Sequence, residues 1–211
     1  MKILKTTWMM GVLLMAATTA QAGLLTNPSF ESPVLTTDTF CIFGTNCPSV
    51  PGWTGTYYLV NGNGGGAITP PAPLPDGVQF AMVQTTQNLD QLVTIPSAGN
   101  YVLTWSDAGR AVFITAAGNE SYAVLFNGTT LGSFNTVSGS PWAAHSLNFS
   151  SGPGTFTLRF QGTQVGGGDN SALLDAIDIN AIGGTSSPEP STMGLAALGL
   201  AGWVWRMRRK P

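Results

Sequence analysis

The chain has 211 residues, 43% of them hydrophobic and only 9% charged, with 8 basic and 10 acidic side chains and a formal charge of −2. Such sparse cations, absent as a cluster from the body of the chain, exclude a nucleic-acid or anionic-membrane footprint there, because neutralising phosphates takes grouped Lys and Arg. The length allows one domain with its own core and little beyond it.

Lys2 and Lys5 precede an apolar run from Trp8 to Ala17, followed by Ala20-Gln21-Ala22. This order of basic, apolar and small residues predicts a signal peptide over residues 1–22, with the mature chain starting at Gly23. Between Gly23 and Ser187 only Arg110 and Arg159 are basic, against nine acidic residues, so the exported body carries a formal charge of −7.

Cys41 and Cys47 are close in sequence and enter an oxidising compartment, which favours a small disulfide loop over a metal pair or free thiols. Closing so short a loop stabilises by about 2 to 3 kcal/mol in the chain-entropy view. Two sulfur ligands without companions make a poor zinc site.

The body, residues 23–185, reads as β throughout. Tyr101, Leu103 and Trp105 alternate with Val102 and Thr104, and Phe156, Leu158 and Phe160 alternate with Thr157 and Arg159, the period of strands with one buried face. Tyr122 to Phe126, Asn127-Gly128 and Thr129 to Phe134 form a predicted hairpin with a type I′ turn, since Asn-Gly tolerates positive φ at both central positions. Further strands are expected at Tyr57–Asn61, Val78–Gln84, Asp90–Ile95, Ala111–Ala116, Trp142–Phe149 and Leu173–Asn180. Many short strands with Gly, Asn and Pro between them, and no convincing helical period, predict an all-β antiparallel sandwich or jelly roll. The Gly- and Pro-rich stretch Asn61–Pro75 is too long to be mere connection and is either disordered or functional.

Catalytic signals are thin. The one histidine, His145, shares the parity of Leu147 and Phe149, and on either face a structural role is commoner than that of a base. No Gly-x-Ser-x-Gly elbow occurs, and the triplets Gly64-Gly65-Gly66 and Gly166-Gly167-Gly168 lack the Lys-Ser/Thr of a phosphate loop. Asp107 and Glu120 can be nominated as a glycosidase pair, although nothing in their context marks them. Trp53, Tyr57 and Tyr58, with Trp142, can supply the aromatic faces of a sugar site among Asn-, Gly- and Thr-rich loops; filling the core is the other reading of such aromatics.

The C-terminal segment, residues 186–211, has three parts in order. Ser186-Ser187-Pro188-Glu189-Pro190-Ser191 is an extended hinge, because proline removes an amide donor and restricts the residue before it. Met193 to Trp205 is uncharged, and Arg206, Arg208, Arg209 and Lys210 follow. As a helix at about 1.5 Å per residue the apolar part is roughly 20 Å long, a marginal span whose basic end stays cytoplasmic. Pro188, Glu189 and Pro190, the apolar segment and the basic end resemble the PEP-CTERM sorting signal of Gram-negative bacteria. That resemblance implies transient insertion in the inner membrane, processing by exosortase near Pro188, and a destination at the cell surface or in the extracellular matrix with exopolysaccharide.

The body in turn resembles galactose-binding-like jelly rolls of carbohydrate-binding modules. The residues that carry this are Asn27-Pro28-Ser29-Phe30-Glu31, Pro51-Gly52-Trp53, Asp76-Gly77-Val78-Gln79, Asp90-Gln91-Leu92, Gly99-Asn100-Tyr101-Val102-Leu103, the Asn127-Gly128 hairpin and Leu173-Leu174-Asp175-Ala176-Ile177-Asp178-Ile179. Strand alternation places Asp175 on the face of Leu173, Ile177 and Ile179, where a carboxylate needs a partner. Loop amides, Arg110 or Arg159 could serve, or, as the resemblance implies, a structural calcium ion held by Glu31 and Asp175 with backbone carbonyls. The expectation is an exported, non-catalytic protein associated with exopolysaccharide or another glycan; the alternative is a polysaccharide-processing enzyme on the same fold.

Overall fold

The computed structural model describes residues 23–36, 39–62, 68–110, 118–164 and 170–183. The expected signal peptide, the strand Ala111–Ala116, both glycine triplets and the sorting segment lie outside the described residues. Gly23–Gly184 forms one compact unit, and among the described residues both core clusters lie between Leu24 and Ala181, within that unit.

Eleven strands are described: β1 (Phe40–Ile42), β2 (Trp53–Thr56), β3 (Tyr58–Asn61), β4 (Gln79–Gln84), β5 (Asn88–Ile95), β6 (Gly99–Gly109), β7 (Glu120–Phe126), β8 (Thr129–Thr136), β9 (Ala143–Ser151), β10 (Gly154–Gly162) and β11 (Ser171–Ile182). They form a six-stranded sheet in the order β1-β3-β4-β11-β6-β9 and a five-stranded sheet in the order β2-β5-β10-β7-β8. Every pairing is antiparallel. The all-β jelly-roll sandwich expected from the strand pattern is the fold.

The predicted alternation is what fills the space between the sheets. Tyr101, Leu103 and Trp105 of β6 meet Leu158 and Phe160 of β10 in one buried cluster with Trp53, Tyr122 and Ile177. At the predicted hairpin Asn127 and Gly128 take φ of 50° and 76°, as a type I′ turn demands. The strands β1 and β2 were not foreseen. They are three and four residues long, too short to show a period.

Cys41 and Cys47 form the expected disulfide, closing a loop in which the Ile42 carbonyl accepts the amides of Thr45, Asn46 and Cys47. The described residues before β1 make no strand. They are fastened by side chains instead: Gln91 accepts from the Thr26 amide at 2.7 Å and donates to the Thr26 carbonyl at 3.0 Å, while Gln79 serves Phe30, Pro33 and Leu35 in the same manner. Buried amides that mimic a strand neighbour satisfy backbone groups that would otherwise be orphaned. The Leu24 amide reaches the Ile179 carbonyl and the Ile177 amide reaches Pro28, tying this segment to β11.

Candidate functional site

Three places on the body hold polar chemistry. The first is where β11 bulges. Its pairing with β6 shifts register between Asp175 and Asp178, and Ala176 takes φ of 51°. The bulge breaks the alternation assumed from sequence. Leu173 belongs to a cluster on the outer face of the sheet, whereas Ile177 and Ile179 point into the main core. Asp175 is fully buried, its Oδ1 accepting the Ala176 amide at 2.7 Å and its Oδ2 the Asp76 amide at 3.2 Å. Backbone amides, not Arg159, are thus its partners, because Arg159 binds Asp90 through two bonds of 2.8 and 2.6 Å.

Glu31 and Asp76 stand nearby. The Oε1 of Glu31 accepts the amides of Val78 and Gln79, both at 2.8 Å, and Asp76 Oδ2 accepts the Ser29 hydroxyl at 2.6 Å. Glycine is required at 77: φ is 56°, and a Cβ there would lie 2.1 Å from Glu31 Oε1. Burial, and to a smaller degree the charges of Asp76 and Glu31, push the Asp175 carboxyl up to about 7, partly offset by its two amide donors. Gathered carboxylates in a buried setting are hard oxygen donors of the kind calcium accepts. Among the described residues, however, no three acidic, His or Cys side chains stand at metal-ligating spacing, so Glu31 and Asp175 would need backbone oxygens to complete a shell.

The second place is a network between the sheets. The Trp105 indole donates to the Tyr122 hydroxyl at 2.9 Å, Tyr122 donates to Asp107 Oδ2 at 2.6 Å, and His145 Nε2 stands 2.8 Å from Asp107 Oδ1. His145 therefore faces inward, with its ring stacked on Trp105 and edge-on to Phe134. Burial, reinforced by the neighbouring Asp107 carboxylate, drives the Tyr122 phenol far above its ordinary pKa, so it remains a donor. Sequence reasoning had Asp107 and His145 but not their meeting, since they are 38 residues apart and join only through the β6–β9 register. Both oxygens of Asp107 are engaged, and Glu120 is buried at the start of β7.

The third place is the outer face of the six-stranded sheet. Thr104 and Ser106 of β6, Ala144 and Ser146 of β9 and Ala176 at the bulge floor a shallow cavity of about 420 Å³. Trp142, just before β9, packs on the Val60, Phe80 and Leu173 cluster, edge-on to Phe80 with its indole N–H donating to the Pro71 carbonyl at 2.8 Å. Two strands further across, Tyr58 is half-buried, bonded to Gln84 and 5.9 Å from the exposed ring of Phe40.

Of the aromatics expected to meet sugar, Tyr58 and Trp142 are half-buried and reach the surface. Trp53 is 1% exposed, packed 5.0 Å from Phe30, and its indole donates to the Asn27 carbonyl. Tyr57 is 0% exposed and stacked on Phe43 at 5.0 Å. Both are core residues, and the reason is topological: the chain changes sheets between β2 and β3, so alternation does not set the face of either ring.

No curated protein matches the chain in sequence. Solved structures similar to it include a family 35 carbohydrate-binding module from Paenibacillus barcinonensis, 18% identical, covering 68% of this chain and 99% of that one with a TM-score of 0.41. Another is a native family 35 module from Clostridium thermocellum, 14% identical over 68% of this chain and 99% of that one, TM-score 0.44. A third is TmCBM61 in complex with β-1,4-galactotriose, 16% identical over 77% and 100%, TM-score 0.47. At the carboxyl end the model of the PEP-CTERM protein-sorting motif matches residues 188–210. This chain is a jelly-roll body followed by a PEP-CTERM sorting motif.

Proposed function

We propose that the protein is exported, processed by exosortase at the Pro188-Glu189-Pro190 hinge after a transient stay in the inner membrane of a Gram-negative bacterium, and left at the cell surface or in the matrix as a non-catalytic, glycan-associated protein. The observation that carries the glycan reading is the outer face of the six-stranded sheet. It holds a shelf of hydroxyls and small side chains and, elsewhere on the same face, half-buried Trp142 and Tyr58 and exposed Phe40, so that polar and aromatic groups of the kind ring-shaped polar ligands need share one sheet face. The engaged state of Asp107 and the burial of Glu120 speak against hydrolysis. An open site of this kind binds weakly, with Kd in the range of about 1 μM to 1 mM.

The test is retention of the Gly23–Gly184 unit on the producer's own exopolysaccharide. Ser106→Trp fills the shelf and should abolish retention; Thr157→Ala, on the other sheet, should not. Retention that survives Ser106→Trp removes the site from this face, and the release of reducing ends establishes the enzyme instead.

We propose also that Glu31 and Asp175 hold a structural calcium ion, which would relieve the crowding of carboxylates around Asp175. A ligand that binds only the folded state at about 100 times its Kd adds about 2.7 kcal/mol, so chelation should lower Tm by roughly 5 to 10 °C. Asp175→Ala should be less stable and indifferent to chelator. Coincident melts of the native unit with and without chelator would end the calcium reading.

A further inference from the structure

A sandwich has four edges, and here they differ. The edges β1 and β2 are three and four residues long, too short to template another chain. The edge β8 is eight residues long but is interrupted by a register shift opposite Val124 and Leu125. The edge β9 runs for nine residues and pairs with β6 position by position, from Ala143 opposite Asp107 to Ser151 opposite Gly99, without a break. It contains no Pro, Gly, Lys, Arg, Asp or Glu, the devices that ordinarily blunt an edge.

Charge is distributed to match. From Ser121 to Leu158 the sequence has no Asp, Glu, Lys or Arg, and this stretch supplies both β8 and β9. The residues that close it are not available to repel: Glu120 is buried, and Arg159 is paired with Asp90 in the other sheet. The rest of the body carries the −7. Two copies therefore repel one another across most of their surface and not at β9. The side chains along β9 that face away from the core, Ala144, Ser146, Asn148 and Ser150, are small or neutral and exposed, so nothing bulky holds a second strand away. Among the described residues no strand pairs with the outer edge of β9, and such a row of N–H and C=O groups is complementary to an antiparallel copy of itself, which is the geometry of a two-fold contact.

We propose that two copies of this protein pair through β9, antiparallel about a two-fold axis, joining their six-stranded sheets into one continuous sheet. The inference does not rest on glycan binding. A dimer would present two outer faces side by side, and weak sites doubled in this way hold a polymer more firmly than one alone.

Sedimentation of the Gly23–Gly184 unit from about 1 μM to about 1 mM should show the mass rising from one copy toward two. Added salt should strengthen the association, because it screens the −7 of each copy. Asn148→Lys with Ser150→Lys should weaken it at least about tenfold, although the change brings the net charge nearer zero, because like charges then face one another along the edge. Thr94→Lys, on the exposed face of the five-stranded sheet, should leave it intact. If the double variant melts early, Asn148→Lys alone gives the reading. Amide exchange in β9 should slow with concentration while exchange in β1 and β2 does not. A unit that stays a single copy at about 1 mM, or pairing indifferent to lysine at 148 and 150, overturns the proposal.

Discussion

Trp53→Ala is expected to cost about 3 to 5 kcal/mol, in line with other losses of a fully buried large aromatic, and to lower Tm by roughly 10 °C or more. The substitution opens a cavity beside Phe30 and leaves the Asn27 carbonyl without its indole donor, so packing and a buried hydrogen bond are lost together. Thermal melting of the purified unit measures it. Glycan retention, compared at a temperature where both proteins are folded, should not change. A Trp53→Ala protein that melts normally but loses retention would return Trp53 to the binding site and contradict its burial at 1% exposure.

The second large effect is a slope of stability with pH set by Glu120. Burial raises its carboxyl from an ordinary 4.5 to about 7, with the Thr85 amide, at 2.9 Å from Oε2, and the Gln164 amide offsetting part of the cost. Among the described residues Oε1 meets no donor at hydrogen-bonding geometry. The folded state therefore keeps a proton that the unfolded chain releases. Stability is full below about pH 4.5, declines as pH rises toward 7 and levels off above it, a total of up to about 3 kcal/mol. Glu120→Gln carries no such titration, so it should be no more stable than the native unit at pH 4 and more stable at pH 8, as read by denaturant unfolding. Asp175 titrates in the same window, and taking the difference between the two proteins cancels its share. Parallel pH profiles for the two would show that Glu120 is solvated.

How far the sequence leads depends on how local the cause is. The period of two in Tyr101–Trp105 and Phe156–Phe160 is local, and both segments are strands facing the core; the Asn127-Gly128 turn is local and takes the backbone its residues dictate. The short strands β1 and β2 exist because β3 and β5 lie beside them, a cause that no window of sequence contains. Trp53 and Tyr57 turned out to be core residues for the related reason that the chain changes sheets within Trp53–Tyr58, so a period counted across that point has no meaning. Asp175 was legible as a buried acid, but its neighbours were not, because one bulge at Ala176 redirects the side chains after it. Asp76 was missed as its neighbour: it lies 99 residues away and is brought in by a hydrogen bond to backbone. The sorting motif, written in contiguous residues, needed no fold to be read.

The attachment of the segment before β1 sets an order of events. Leu24 and Pro28 bond to Ile179 and Ile177, and Thr26 bonds to Gln91, so the first residues of the body cannot be fixed until its last strand exists. Synthesis and export deliver the chain in the opposite sense. The amino end thus waits, unattached, through the passage of the whole domain. Strand β11 ends at Ile182, six positions before Pro188, so the stretch that completes the fold and the stretch that is sorted arrive almost together. Long-range closure of this kind is slow compared with hairpin formation. If the chain is cut at the hinge as proposed, a cut made before β11 has docked releases a domain whose amino segment is still free.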